Sequence, residues 1–399
     1  MDSHQRANSE KRVEKGREAA RTDRYQLVRD IFSRKATVVL KVGSSTLTHP
    51  TGKLNLGRME ALVREIADLA NAGHRPILVS SGAVAAGMGR LGLSARPNSL
   101  PERQATAAVG QGLLMQIYEK LFGEYSQIVA QVLLTRDDAS DRRRYLNARH
   151  TLRTLLQFGV IPIINENDTV ATEELQFGEN DTLSAMVAAL IGADFLVLVT
   201  DVDGFYTGDP RRDPSARLVH EVEEITPEIL AAAGGTGSAA GSGGMQSKIE
   251  AARIATSSGC AMALIAGEPS GLLTKLLQGA EIGTIFLPKT RVLQARDQWI
   301  AFAQVPVGAL VIDGGAVNAL RRAGKSLLPS GVVEVKGEFG PGDLVRVLDP
   351  DGREVARGLI NYDQRDAARL AGHHTAEIEK ILGYKSYDEL IHRDNLVCL

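Results

Sequence analysis

One stretch of the chain, residues 160–210, constrains the fold more than any other. It contains two short apolar runs, Val160–Ile164 and Phe195–Val199, which each end abruptly at polar residues, with a helix-compatible run, Thr182–Ile191, between them. Short apolar runs that alternate with helices are typical of strands buried on both faces of a parallel sheet. We therefore predict a strand–helix–strand unit. Ligands bind beyond the carboxyl ends of such strands, so the polar clusters that follow each run indicate an active site.

The same alternation extends over most of the chain. Further strands are predicted at Ala36–Val42, Ile77–Ser80, Ile128–Leu134 and Ala261–Ala266. Helices are predicted at Leu56–Asn71, Gln104–Phe122, Tyr145–Phe158, Met245–Ser258 and Gly271–Gln278. Strands and helices in alternation predict an α/β fold, a three-layer sandwich around a mainly parallel sheet.

The pattern changes near residue 305, which we predict to be a domain boundary. Short strands follow at Val332–Lys336, Leu344–Leu348 and Val355–Asn361, separated by turns rich in Gly, Pro and Asp. Such spacing favours a small β-rich barrel. The predicted organisation is an N-terminal extension (1–35), a catalytic domain (36–304), a small second domain (305–384) and a C-terminal tail (385–399).

The N-terminal extension is highly charged, and we expect residues 1–20 to be disordered. Leu27, Val28, Ile31 and Phe32 are spaced to form one apolar face of a short helix packed on the core. The acidic residues of the extension argue against an organellar transit peptide.

Composition excludes several classes of protein. The formal net charge of -2 gives no overall field that would recruit nucleic acid or an anionic membrane. No apolar stretch approaches the roughly 20 residues that span a bilayer, and no signal-peptide apolar region is present. The two cysteines, Cys260 and Cys398, have no second Cys or His at metal-ligand spacing. We therefore expect a cytoplasmic protein without membrane contact.

Two glycine-containing loops have the composition of phosphate-binding loops. In Gly241–Lys248, consecutive glycines precede a helix, so backbone N–H groups and the positive helix N-terminus can face an anion, with Lys248 in the first turn. A flexible linker explains residues 234–240 well but explains Gly241–Lys248 poorly, because a lysine and a helix follow at once. Lys41 lies in the last two residues of the first predicted strand, just before Gly43, and is equally consistent with phosphate pairing and with a surface position.

Polar residues follow the other strands. Ser81 and its small neighbours open a helix after the second strand, which suits either a ligand carboxylate near backbone N–H groups or tight packing alone. Asp168, Asn180 and Asp181 can receive an ammonium group and position lysines. Asp181 also suits a helix start, so helix capping is the alternative for this residue.

Together these motifs resemble the amino-acid kinase family. Within it, they are most similar to members that phosphorylate the side-chain carboxylate of L-glutamate. The matching segments, in family order, are VVLKVGSSTLT (38–48), SSGAVAAG (80–87), LLTRDD (133–138), LNARHTL (146–152), PIINENDTVAT (162–172), FGENDTLSA (177–185), LVTDVDGFYTGDPR (198–211), GSGGMQSK (241–248) and GHHTAEIEKILGY (372–384). Residues 326–362 resemble a PUA domain. Ser242 and Ser247 depart from the family, where Thr is commoner, but both keep the hydroxyl.

The resemblance implies a function for each matching residue. It implies that Lys41 and Lys248 contact the ATP phosphates and the transferring phosphoryl group, that Asp181 orients the two lysines, and that Ser81, Asp168 and Asn180 bind glutamate. It places further ATP contacts at Thr200, Asp201, Ser242, Gly243, Gly244, Met245, Gln246 and Ser247. ATP is the implied co-substrate and Mg²⁺ the implied metal, with no protein ligand assigned. A homo-oligomer and feedback inhibition by L-proline are also family expectations.

Two alternatives remain open from the sequence. The first keeps the fold but changes the acceptor to aspartate, N-acetylglutamate, carbamate or UMP; the PUA-like segment and GHHTAEIEKILGY (372–384) weigh against it. The second is RNA binding by the PUA-like domain, which the near-neutral charge weakens. Six basic residues of this domain could form a local basic patch that binds RNA: Arg321, Arg322, Lys325, Lys336, Arg346 and Arg353.

Overall fold

The structure, a computed structural model, describes residues 25–49, 53–171, 180–211, 213–234, 243–289 and 306–398. The chain divides into two compact units, one of residues 1–135 with 147–292 and one of residues 136–146 with 293–399. Three predictions lie outside the described residues: the disorder of residues 1–20, the role of Ser242 and the boundary at residue 305.

The first unit is built on an eight-stranded sheet with the order β3-β4-β2-β1-β5-β9-β10-β8. Its strands are β1 (Thr37–Val42), β2 (Arg75–Ser80), β3 (Val129–Leu134), β4 (Ile161–Glu166), β5 (Phe195–Thr200), β8 (Glu221–Val222), β9 (Ala261–Ala266) and β10 (Thr284–Phe286). The β9–β10 pair is antiparallel and the other pairs are parallel. A separate two-stranded ribbon joins β6 (Phe205–Tyr206) to β7 (Leu218–Val219). The predicted mainly parallel α/β sandwich is confirmed.

Helices alternate with these strands along the chain. They are α1 (Gln26–Phe32), α2 (Ser44–Leu47), α3 (Leu56–Asn71), α4 (Ala83–Leu91), α5 (Leu100–Glu124), α6 (Arg136–Ser140), α7 (Arg142–Gln157), α8 (Asn180–Ile191), α9 (Pro227–Ala232), α10 (Gly243–Ser257) and α11 (Leu272–Leu277). Of these, α6 and the first residues of α7 belong to the second unit. The predicted helix Leu56–Asn71 has the bounds of α3, and the predicted short N-terminal helix is α1, which buries Val28 and Ile31. No helix within the described part of the chain is long and apolar enough to cross a membrane.

The two faces of β1 have different partners, and this determines where Lys41 points. Alternate strand residues point to opposite faces of a sheet. Leu40 and Val42 belong to a core that also contains side chains of α1, α3, α5 and α11. Lys41 therefore points to the other face, where α8 packs against β1 and β5, and α10 packs against α8.

Helix α4 is held tightly at its start, close to the end of β2. A Cβ atom added at Gly110 of α5 would lie 1.7 Å from the carbonyl oxygen of Ala83, so glycine is required there. Gly82, the N-cap of α4, has a φ of 104°, which other residues rarely adopt. Ser80 Oγ lies 2.8 Å from Tyr118 Oη of α5. These contacts fix the turn that carries Ser81.

The second unit contains a five-stranded sheet with the order β12-β11-β13-β14-β15. Its strands are β11 (Gly308–Ile312), β12 (Val332–Gly337), β13 (Leu344–Leu348), β14 (Glu354–Leu359) and β15 (Leu396–Cys398), and its helices are α12 (Gly314–Ala323), α13 (Gln364–Leu370) and α14 (Ile378–Leu382). The predicted small β-rich C-terminal fold is confirmed. The residues that the sequence set apart as a C-terminal tail contribute β15, which pairs with β14.

Candidate active site

The sites predicted from the sequence lie together at the carboxyl edge of the first sheet. Strands β1, β2, β4 and β5 are parallel, so their carboxyl ends lie at the same edge. Two cavities of about 570 Å³ each open there, a volume suited to a small ligand. Asp201, Gly244 and Lys248 line both cavities, so the two meet at these residues.

The two cavities differ in character. The one we call the polar cavity is lined by Lys41, Ser44, Ser45, Ser81, Arg96, Asn165, Glu166, Asp168 and Asn180, besides the shared residues. The one we call the apolar cavity is lined, besides the shared residues, by apolar side chains and by the charged Asp203, Asp209 and Arg211; the apolar ones are Val202, Phe205, Tyr206, Pro210, Ala232, Ala233 and Met245. A charged small molecule suits the first, and a flat apolar group suits the second.

Two lysines converge on one buried carboxylate at this junction. Lys41 Nζ lies 2.5 Å from Asp181 Oδ1, and Lys248 Nζ lies 3.1 Å from Asp181 Oδ2. Asp181 is 0% exposed, and Lys41 and Lys248 are 6% and 8% exposed. Burial alone would raise the pKa of Asp181, but the charges of Lys41 and Lys248 and their hydrogen bonds outweigh it and hold the pKa below its ordinary value.

Three elements bring this cluster together. Lys41 comes from β1, Asp181 from the first turn of α8, and Lys248 from α10. The sequence predicted Lys248 in the first turn of this helix. Helix α10 begins at Gly243, however, so Lys248 lies in its second turn. The carboxylate of Asp181 contacts the two lysines and Ser247, which donates to it at 3.0 Å. These contacts support a role for Asp181 in holding the lysines and do not support the alternative, helix capping.

The start of α10 is arranged around one carbonyl group. Ser247 Oγ and Lys248 Nζ both donate to Gly244 O at 3.0 Å. The hydroxyl of Ser247, where the family more often has Thr, therefore lies within hydrogen-bond distance of two acceptors, Asp181 and Gly244, which share its one hydrogen. Met245 lines the apolar cavity, whereas Gln246 is exposed and lines neither cavity.

A chain of amides fixes the orientation of Asn180. Its Nδ2 group donates to Asn165 Oδ1 at 2.8 Å and to Ser81 Oγ at 2.9 Å. Asn165 Nδ2 in turn donates to Gln111 Oε1 at 2.9 Å. Because an amide nitrogen has two donor hydrogens, these contacts leave Asn180 Oδ1 as an acceptor at the polar cavity. A ligand ammonium group would suit this acceptor.

Asp168 is one of three carboxylates that line the polar cavity, with Glu166 and Asp201. It follows β4 and lines the cavity with Asn180. Burial raises the pKa of Asp168 above its ordinary value of 3.8. A half-buried carboxylate beside an amide acceptor can pair with an ammonium group, which the sequence predicted for these residues.

The remaining predicted residues lie at the end of β5. Thr200 Oγ1 donates to Asp201 Oδ1 at 2.9 Å, and the backbone N–H of Gly267 donates to Thr200 O at 2.8 Å. Both side chains line the polar cavity. Sequence reasoning missed Asn165, Gln111 and Arg96 as site residues. Asn165 could have been found from its place at the end of an apolar strand.

Fold and site together define a class of enzyme. Lys41, Lys248 and Asp181 together have a net charge of about +1, and they lie where the two cavities meet, next to the carboxylate of Asp201. Phosphoryl transfer depends on positioning and on neutralising phosphate charge, and this junction is suited to both. An α/β sheet with such a site at its carboxyl edge is typical of phosphotransferases.

Comparison with known proteins identifies the family. The model of the amino acid kinase family matches residues 36–266, and the PUA domain model matches residues 308–382. The chain belongs to the amino acid kinase family and carries a PUA domain, which confirms the resemblance found in the sequence.

Its relatives cover nearly the whole chain. The glutamate 5-kinase of Moorella thermoacetica is 56% identical over 368 residues, which are 92% of this chain and 97% of the relative. The glutamate 5-kinase of Carboxydothermus hydrogenoformans is 54% identical over 93% of this chain and 99% of the relative. Among solved structures, a carbamate kinase from Giardia lamblia bound to AMP-PNP aligns with a TM-score of 0.47 at 18% identity, over 64% of this chain and 100% of that chain.

Proposed function

We propose that this protein transfers the γ-phosphoryl group of ATP to the side-chain carboxylate of L-glutamate, giving L-glutamyl 5-phosphate and ADP, the first step of proline biosynthesis. The observation that carries the proposal is the convergence of Lys41 and Lys248 on Asp181 where the two cavities meet. The relatives' activity supplies the identity of the acceptor. The charges of the polar cavity agree with it.

The two substrates take the two cavities. The apolar cavity, with Phe205, Tyr206 and Met245 in its wall, receives the adenosine part of ATP. The phosphates extend toward the start of α10, where residues 243–248 and the positive end of the helix dipole lie. Thr200 and Asp201 line the polar side of this path.

Glutamate occupies the polar cavity. Its ammonium group pairs with Asp168 and with the Oδ1 acceptor of Asn180, and Ser81 holds Asn180 in place. Its side-chain carboxylate then points to the lysines and to the γ-phosphoryl group. This orientation brings the two reacting groups to the junction of the cavities.

The transfer needs no general base. The side-chain carboxyl of glutamate has an ordinary pKa of about 4.3 and is ionised at neutral pH. One of its oxygens forms a bond to the γ-phosphorus while the bond from that phosphorus to the β–γ bridging oxygen breaks, and ADP leaves with that electron pair. No proton moves. The barrier is the approach of an anion to the charged phosphates, and the two lysines lower it by neutralising charge at the transferring group.

Mg²⁺ is proposed to enter with the nucleotide. Asp201 offers a carboxylate at both cavities, but no group of three His, Cys, Asp or Glu residues that could hold a metal occurs within the described residues. Mg²⁺ commonly takes most of its ligands from phosphates and water with one or two carboxylates, and this donor set fits that pattern. When bound, the ion would neutralise phosphate charge.

Three further expectations are part of the proposal. L-proline has an ammonium and a carboxylate group on one carbon, as glutamate has, so Asp168 and Asn180 suit it as a feedback inhibitor that competes with glutamate. We also propose that the protein forms a homo-oligomer and acts in the cytoplasm, where its substrates are found.

RNA binding by the second unit stays a prediction. Two of its six basic residues, Lys336 and Arg353, lie in ion pairs with Glu334 and Asp351.

A substrate panel tests the proposed function directly. ADP release is measured with glutamate, aspartate, N-acetylglutamate, carbamate and UMP, and hydroxylamine is added to trap acyl phosphate as hydroxamate. We expect turnover and hydroxamate with L-glutamate alone. Turnover with another acceptor would retain the phosphate-binding residues but refute Asp168 and Asn180 as glutamate contacts.

Asp168→Asn is expected to raise the KM for L-glutamate by about 10- to 100-fold, the worth of a hydrogen bond to a charged group, with a smaller change in kcat. Because burial raises the pKa of Asp168, the KM of the unmodified enzyme should begin to rise with falling pH above 3.8, as the carboxylate takes up a proton. Steady-state kinetics over a pH series measure both effects. Asp68→Asn, an exposed carboxylate of α3, is the matched control. An unchanged KM in Asp168→Asn would refute the assignment.

A further inference from the structure

A cationic side chain at the polar cavity has no function in the transfer as described so far. Arg96, in the connection between α4 and α5, lines this cavity, and no part of the reaction has been assigned to it. The cavity's other cations, Lys41 and Lys248, are held by Asp181. Within the described residues, the exposed side chain of Arg96 has no ion pair or hydrogen bond. Its charge is thus available to a ligand.

The connection that carries Arg96 is fixed at both ends. Gly92 ends α4 in a left-handed conformation, with its N–H donating to Met88 O. Ser99 begins α5 with a capping box. Pro97 restricts its own backbone and also that of the preceding Arg96, which it biases to an extended conformation. The arginine therefore stands on a constrained backbone at the mouth of the cavity.

The charges of the proposed acceptor show what Arg96 would bind. Glutamate has an ammonium group, which Asp168 neutralises, and a side-chain carboxylate, which the lysines receive. The α-carboxylate is left. The start of α4, whose N-cap Gly82 makes no side-chain cap, offers neutral N–H donors at this cavity but no full charge. Arginine presents a planar fork of donors that matches a carboxylate with two parallel hydrogen bonds.

We propose that Arg96 binds the α-carboxylate of the amino-acid substrate and so selects acceptors in which that group is free. This inference rests on the proposed function, since it assigns a partner to the one charged group of glutamate that the other residues leave unpaired. Arg96 then determines specificity and affinity for the acceptor and takes no part in neutralising the transferring phosphoryl group.

The test compares substrates that differ only at the α-carboxylate. L-glutamate, L-isoglutamine (whose α-carboxyl is an uncharged amide) and 4-aminobutanoate (which lacks the group) are assayed as hydroxamates with the unmodified enzyme, Arg96→Ala and Arg96→Lys. We expect Arg96→Ala to raise the KM for glutamate by about 10- to 100-fold with little change in kcat or in the KM for ATP. The same variant should leave kcat/KM for isoglutamine nearly unchanged, so that the preference for glutamate falls by the same factor. Arg96→Lys, which keeps the charge but loses the fork, should lie between.

Controls separate the possible failures. Arg90→Ala, an exposed arginine at the end of α4 that lines neither cavity, should behave as the unmodified enzyme. If the unmodified enzyme forms hydroxamate from glutamate but Arg96→Ala keeps its KM, or loses glutamate and isoglutamine activity equally, the role of Arg96 is refuted and the proposed function stands. If the unmodified enzyme forms no glutamyl hydroxamate, the proposed function fails, and the role of Arg96 falls with it.

Discussion

Replacing Lys41 or Lys248 by alanine is expected to lower kcat by roughly 10²-fold or more, the scale seen when one preorganised electrostatic group is removed from a transition state. Each lysine is nearly buried and already directed at the junction of the cavities by Asp181. No energy is therefore needed to orient its charge when phosphate arrives. Alanine brings the net charge of the three-residue cluster from about +1 to zero, next to a highly anionic nucleotide.

The fold should survive either substitution. Asp181 keeps the second lysine as its partner in each variant, and Ser247 still donates to it. The free energy of unfolding should therefore change little, although kcat falls strongly. Lys41→Arg and Lys248→Arg keep the charge but change its shape and reach, so partial recovery of kcat would assign the effect to charge.

Single-turnover and steady-state kinetics with saturating ATP and glutamate measure this loss, and circular dichroism reports the fold. Lys120→Ala, an exposed lysine of α5, is the matched control. Near-unmodified turnover in both alanine variants, with the fold intact, would show that the two lysines do not stabilise the transferring group.

Much of this fold could be predicted because its elements are long and strongly patterned. Helix α3 was predicted with its observed bounds: its apolar residues recur at helical spacing, and Gly73, which has a φ of 91°, follows its end. The paired strands β6 and β7 were missed. Each has two residues, which is too short for any periodicity to appear, and their pairing joins positions more than ten residues apart.

The site could be predicted only in part, for a related reason. Lys41, Asp181 and Lys248 stand next to recognisable strand ends, helix starts and glycines, so each could be named from its local sequence. The contact by which Gln111 orients Asn180 through Asn165 could not be predicted. Gln111 lies within the long helix α5, and no local sequence pattern distinguishes it from its neighbours. Arg96 was missed because a lone arginine in a connection has no motif, and its place in the cavity depends on how α4 and α5 pack.

Asp181→Asn is the second substitution with a large expected effect, and it acts on stability as well as on catalysis. Asparagine has the shape of aspartate but no charge, so two ammonium groups remain close together and nearly buried. Removing one partner of a buried ion pair typically destabilises a protein by about 3–5 kcal/mol. We also expect kcat to fall by about 10²-fold, because both lysines lose the group that directs them to the phosphoryl group. Urea unfolding and steady-state kinetics measure the two effects.

The matched control is Glu250→Gln on helix α10, which also carries Lys248. Glu250 pairs with Arg253 at the surface, and such pairs contribute at most about 1 kcal/mol. A loss of stability in Asp181→Asn no larger than that of Glu250→Gln, with kcat retained, would refute the organising role of Asp181.

The pH dependence separates the electrostatic cause from a packing defect. In the unmodified protein the pKa of Asp181 is lowered on folding, so its contribution to stability is complete above the unfolded value near 3.8 and is lost as pH falls through the folded pKa. The stability difference between the unmodified protein and Asp181→Asn should thus narrow in that acid range. A packing defect alone would leave this stability difference independent of pH, whereas loss of the electrostatic contribution of Asp181 requires it to narrow in acid.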